Sequence, residues 1–288
     1  MRFKKFAILL LVTFMTVGAF AGCAKDGGGS DNKGTVKLGV VNWAEGIAMT
    51  NLVTAVLEDH MNYEVDITVA DVAPIFTSVA SGNTDAFLDV WLPVTHESYM
   101  EEYGDNLVDL GINNGNARIG LVVPEYVEVD SIEELNDNAE IFDKKIIGID
   151  AGAGIMSSTE EAIDEYDLDF ELITSSEAAM TASLSKAIDE KTPVVVTGWT
   201  PHWKFADFDL KFLEDSKGVY GKTEEIHTIA RIGLEEDMPE VYSFLEKFSL
   251  TDEQLSELMG AIEEGSNELE SARTWMNANE EVVTQWLK

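Results

Sequence analysis

Three tryptophans stand where the sequence predicts strand ends beside helix-opening turns: Trp43 in GVVNWAEGIAMT, Trp91 in AFLDVWLPVTH and Trp199 in PVVVTGWTPHW. Strand ends are where α/β proteins present side chains to ligands. Indole rings there can wall a box for a cation that has no N–H to donate. A trimethylammonium group carries diffuse charge under an apolar skin, so hydrogen bonds cannot select it, whereas the negative face of an aromatic ring can. Each such contact contributes roughly 0.5–2 kcal/mol depending on desolvation, and Trp gives the strongest among the aromatics. The bland alternative for each indole is core packing near a lobe boundary.

The other end of a zwitterion needs anion donors. The turn AGAGIMS places free backbone N–H groups at a helix start, with the positive end of the helix dipole behind them. Gly152 and Gly154 leave no side chain there to block close approach. Gly46 and Ile47 repeat that geometry in the first half, so either turn could serve. His96, shortly after Trp91, can reach a carboxylate with a ring N–H.

The elements that must position these residues come in two similar sets. VKLGVV (36–41) reads as a strand, followed by a helix from about Ile47 to Asp59 and the strand YEVDITVAD. A turn with Pro74 leads on to a strand over 84–90 that ends at Trp91. RIGLVVPEYV is a continuous apolar strand stopped by Pro124, and Ser131 with Glu134 predicts a capping box at a helix start. The order then recurs: KKIIGID as strand, GIMSSTEEAIDEY as helix, FELITSS as strand, EAAMTASLSKAIDE as helix and PVVVTGW as strand. Strands alternating with helices predict parallel α/β units, here in two copies. Two lobes of like construction predict a ligand held between them. The tail from Ser249 is helical, and the spacing of Trp275 and Trp286 fits helix packing.

The N-terminus reads as an export signal with a lipid anchor. Arg2, Lys4 and Lys5 precede the apolar run FAILLLVTFMTVGAFAG, and Ala21 and Gly22 stand just before Cys23, the only cysteine in the chain. FAGC is similar to a bacterial lipobox, with Phe20 where Leu is more usual. Residues 1–22 are therefore the predicted signal peptide, Cys23 the lipidation site, and 23–35 a Gly-rich tether that cannot bury a core. No later run approaches the ~20 apolar residues of a membrane span. Removing the three basic residues of the signal takes the net charge from −35 to −38. Such a surface repels nucleic acid and anionic lipid heads.

Several motifs are imitations. GAGIMS resembles a dinucleotide fingerprint, but Ser157 replaces the third glycine and no clear acid ends a following strand. SKGVYGKT resembles a phosphate loop but opens on Ser216 and follows no apolar strand. There is no GxSxG or HExxH, and the four histidines are not spaced as a metal set. No catalytic residue, cofactor or metal is predicted.

GVVNWAEGIAMT, VWLPVTH, GIDAGAGIMS and VTGWTPHWKF, with EEIHTIARIGLEEDMPE, together resemble the glycine betaine/proline betaine substrate-binding proteins of ABC importers, of the OpuAC/ProX type. The likeness runs over about residues 36–288. It implies an α/β, two-lobed periplasmic-binding-protein fold (type II-like) with the ligand site in the interlobe cleft. Lobe 1 would be 36–115 plus 226–288, and lobe 2 would be 116–225. The resemblance further implies a cage of Trp43, Trp91 and Trp199 around the quaternary ammonium. The carboxylate would be held by the N–H groups of Gly154 and Ile155 and by His96, with His202 and Trp203 as support behind them. The implied protein is a monomeric receptor on the outer face of the cytoplasmic membrane that hands glycine betaine or proline betaine to an ABC permease. Alternatives are a receptor for choline or carnitine, a sensing module for osmotic signals, and a surface-anchored enzyme acting on a methylated amine.

Overall fold

Two stretches of chain fold into the same βαβαβ unit. The first comprises β1 (Thr35–Val40), α1 (Ala44–Met61), β2 (Glu64–Val69), α2 (Val72–Ala80) and β3 (Ala86–Leu92). A short α3 (Glu97–Tyr103) and the long β4 (Leu107–Pro124) follow, then a 3-10 helix at Ile132–Phe142. The second unit comprises β5 (Lys145–Ile147), α4 (Gly154–Glu165), β6 (Glu171–Ile173), α5 (Glu177–Glu190) and β7 (Val195–Thr200). After it come α6 (Lys204–Asp207), β8 (Leu210–Phe212) and β9 (Glu224–Arg231). The chain closes with α7 (Leu234–Asp237), α8 (Pro239–Lys247), α9 (Asp252–Glu263), α10 (Glu268–Ala278) and α11 (Glu280–Trp286). The computed structural model describes residues 32–288. The predicted signal peptide, Cys23 and most of the tether lie outside the described residues.

The strands run in the order β2-β1-β3-β9-β4-β7-β5-β6, with β8 also paired to β4. Each repeat contributes three parallel strands, as the alternation of strands and helices predicts. Between them lie β9 and β4, antiparallel to each other and to their outer neighbours β3 and β7. That antiparallel centre is not among the parallel units the sequence predicts. The N-terminal half of β4 (107–117) carries LVDLGINNGNA, too polar and glycine-rich to read as a buried strand. Its register slips between Asp109 and Gly111, where Gly111 adopts φ +101°.

Three local expectations are corrected. The segment around Pro74 is the helix α2, not a turn, because a proline in the first helical turn removes an N–H that would lack an intrahelical partner anyway. The capping box at Ser131 does not form: Ser131 makes no side-chain cap, and Glu134 accepts from the N–H of Asp130 instead. Helix α1 begins at Ala44, earlier than its apolar spacing suggests, with Trp43 itself as N-cap. The packing role expected for the tail tryptophans does appear. Trp275 and Trp286 are buried, and Trp286 lies 4.9 Å from the Phe248 ring centre.

Candidate binding site

The three indoles converge because corresponding ends of the repeats face one another. Trp43 follows β1 and opens α1; Trp91 lies near the end of β3; Trp199 lies near the end of β7. All three are buried, and all line one small cavity together with Glu45, Thr95, His96, Ile119, Ile149, Ala153, Gly154 and Ile155. The cavity is narrow, with a volume of about 20 Å³. A wider cleft of about 940 Å³, bordered by Trp203, Glu177 and α9–α10, shares no lining residue with it.

Each indole is fixed differently. The Trp91 N–H donates to Asp89 Oδ1 at 2.7 Å, and the Trp199 N–H donates to Glu45 Oε2 at 2.9 Å. Trp43 stacks on the His96 ring at 5.9 Å and 12°, and its N–H has no partner among the described residues. Asp89 carries a charge-bearing group in the apolar strand AFLDVW, two residues before Trp91 and so on the same face. Burial and the neighbouring Glu45 and Glu177 raise its carboxyl well above the usual range.

His96 is a prepared donor. Its Nδ1 accepts from the backbone N–H of Trp91 at 2.9 Å, so in the neutral ring Nε2 carries the proton. Burial lowers its pKa to about 3, which keeps the ring neutral. Nε2 is buried and unpartnered among the described residues. The turn that carries it is held by Glu224 of β9, which accepts from Val94 N–H (3.0 Å), Thr95 N–H (2.8 Å) and Thr95 Oγ1 (2.5 Å).

Opposite this turn, α4 starts at Gly154, and no hydrogen bond occupies the N–H of Gly154 or Ile155 among the described residues. A Cβ on Gly154 would stand 1.9 Å from the Thr95 carbonyl oxygen. Only glycine lets the helix end come this close to the His96 turn. Tyr99 spans the same gap, donating its hydroxyl to the Gly152 carbonyl at 2.9 Å. The first repeat is built otherwise. There Glu177 already sits at the start of α1, accepting from Ala44 N–H at 3.0 Å. Of the two turns that sequence alone leaves equivalent, the first therefore has an internal carboxylate and the second does not.

His202 and Trp203 lie side by side, with ring centres 5.3 Å apart. His202 is buried, 5.0 Å from Trp199 and 3.0 Å from Glu177 Oε1, with burial and Lys204 pushing its pKa well below the usual value. Trp203 is half-buried and borders the wider cleft. Sequence reading missed Glu45, Asp89, Glu177, Lys204 and Glu224. Glu45 and Glu177 stand in the first turns of helices, where acids are unremarkable. Asp89 alone gave a signal, as an acid inside an apolar strand.

A mixed α/β scaffold with an apolar, aromatic cavity between two like units is one that substrate-binding proteins use, and the family match places this chain among them. The match of residues 34–278 to the OpuAC family, the substrate binding domain of ABC-type glycine betaine transport systems, makes the chain a member of that family. It is 51% identical over 153 residues to the glycine betaine/carnitine transport binding protein GbuC of Listeria monocytogenes, covering 52% of this chain and 51% of that one. The chain thus matches about half the length of that curated relative. Lactococcal OpuAC in its closed form with glycine betaine shares the fold, with TM-score 0.84, 38% identity, and 88% of this chain and 99% of that one covered. An ABC-transporter choline binding protein in complex with choline follows at TM-score 0.83 and 27% identity, with 88% and 91% covered. The fold is that of periplasmic binding proteins, as the sequence resemblance implies.

Proposed function

We propose that the protein captures glycine betaine, and proline betaine with it, for an ABC permease. The quaternary ammonium sits among Trp43, Trp91 and Trp199. The carboxylate takes the N–H groups of Gly154 and Ile155 and the Nε2–H of His96. One observation carries this reading: buried donors without partners line the same apolar cavity as three indoles. Cation–π attraction suits the methylated end, and leaving such donors unpaired is costly unless an anion fills them.

In this reading lobe 1 (36–115 plus 226–288) supplies Trp43, Trp91 and His96, and lobe 2 (116–225) supplies Trp199, Gly154 and Ile155. Strands β4 and β9 carry the two crossings, and ligand stabilises the closed arrangement to the extent that it prefers it. His202 and Trp203 support Trp199 from behind. A signal peptide at 1–22 and lipid on Cys23 would hold a monomeric receptor on the outer face of the membrane by the 23–35 tether.

Choline is the second reading, favoured by the likeness to a choline-bound structure. It lacks a carboxylate and would leave the donors unpaired. Tryptophan fluorescence of the purified protein tests the assignment. Glycine betaine should change the emission saturably, and an unchanged emission with no bound ligand in equilibrium dialysis would overturn it.

A further inference from the structure

Beside the cavity lies a cluster of buried titratable groups, of which Glu45 also lines it. Lys204, the first residue of α6, is fully buried, and its Nζ has no hydrogen-bond partner among the described residues. That Nζ lies 4.0 Å from the centre of the Trp199 ring, yet Lys204 does not line the cavity. A cation already seated on an indole weakens the ring's attraction for a second one and repels it directly.

The charged groups facing Lys204 are Glu45 from α1 and Glu177 from α5. Asp89 from β3 and Asp150 after β5 bear on those carboxylates in turn. Burial pushes Lys204 down to about 7, against the pull of Glu177 and Glu45. Burial raises Glu45 to about 7, opposed by the Trp199 N–H and by Lys204. Glu177 is raised to about 8 by burial and by the charge of Glu45. Burial above all raises the Asp89 carboxyl well above the usual range and pushes His96 and His202 below the usual imidazole range. Near neutrality the cluster therefore holds three groups poised to exchange protons.

We propose that Lys204 sets the affinity of the cage for a cation through Trp199, and that cation capture drives protons out of the Glu45–Glu177–Lys204 cluster. The inference rests on the cage reading above. A bound ammonium disfavours charged Lys204 and favours ionised Glu45 and Glu177. Both effects release protons, so affinity rises with pH. The ligand's quaternary nitrogen has no proton to lose, and neutral His96 does not titrate in this window.

Calorimetry of the purified protein with glycine betaine, in paired buffers of different ionisation enthalpy, reads the effect. Affinity should tighten about tenfold between about pH 6 and about pH 8.5, and heats at neutral pH should differ between buffers in the sense of proton release. In Lys204→Met the carboxylates lose the cation that favours their ionised forms. Their titration moves to higher pH, and the affinity difference across the same window falls to about threefold or less. Buffer-independent heats with pH-independent affinity overturn the proposal, as does a Lys204→Met protein that keeps the full pH dependence. Should that variant not fold, the wild-type paired-buffer heats decide alone. A folded wild-type protein that binds no betaine at any pH breaks the cage reading itself, an outcome distinct from betaine binding without proton release.

Discussion

The two βαβαβ repeats are built alike and furnished differently. Each ends its third strand in a Trp-x-Pro corner with a cis prolyl bond, at Leu92–Pro93 and Thr200–Pro201. Each places a glycine near the start of its first helix, Gly46 and Gly154. In each a histidine after the corner accepts a backbone N–H on Nδ1, His96 from Trp91 and His202 from Lys204. The difference lies in what remains free. The start of α1 holds Glu177, and His202 Nε2 pairs with the same carboxylate. The start of α4 and His96 Nε2 hold nothing among the described residues. One repeat has internalised an acceptor for its donors and the other leaves the matching donors free, the position that the proposed function gives to the ligand carboxylate.

Substitutions at matched positions break or sharpen that contrast. The largest effect is expected from Gly154→Ala. Its Cβ meets backbone at Thr95, so the helix start must retreat and two donors are lost, weakening betaine binding at least about a hundredfold by calorimetry. Gly46→Ala meets a side-chain end instead, Asp89 Oδ2 at 2.6 Å, and should cost under about tenfold. Equal losses would erase the asymmetry. His96→Ala removes one donor to a charged acceptor and a ring stacked on Trp43, so betaine affinity should fall about 10- to 100-fold and any choline binding by clearly less. A parallel loss for choline would place His96 in packing rather than anion binding. Trp91→Ala should weaken betaine at least about tenfold, and a near-wild-type titration would count strongly against the cage. Smallest is Trp275→Phe, remote from the cavity, expected to leave betaine affinity within about twofold while lowering the melting temperature.

The repeats were legible in the residues, and the contrast between them was not. Helix α5 runs over the residues its composition predicts, and both repeats appear in the alternation of apolar strands with amphipathic helices. The strand-end tryptophans stood out because large aromatics beside glycine turns have few structural reasons to recur at matching places. Illegible parts share one cause: their partners are distant in sequence. The antiparallel β4–β9 pairing joins residues more than a hundred positions apart, and β4 carries NNGN where an isolated strand would carry apolar residues. Glu177 reads locally as an ordinary first-turn acid, and only its contact with Ala44 makes it the internal acceptor of the other repeat. Lys204 follows PHW with nothing to distinguish it from a surface lysine.

The most direct test of the central claim is a calorimetric titration of the purified protein with glycine betaine and then with choline under the same conditions. In the proposed site both ligands would fill the indole box, and only betaine would occupy the donors at Gly154, Ile155 and His96. The structure predicts that betaine binds at least about tenfold more tightly than choline. Choline binding as tight as betaine or tighter would contradict the anion site, leaving the indoles without the oriented carboxylate that separates the second repeat from the first.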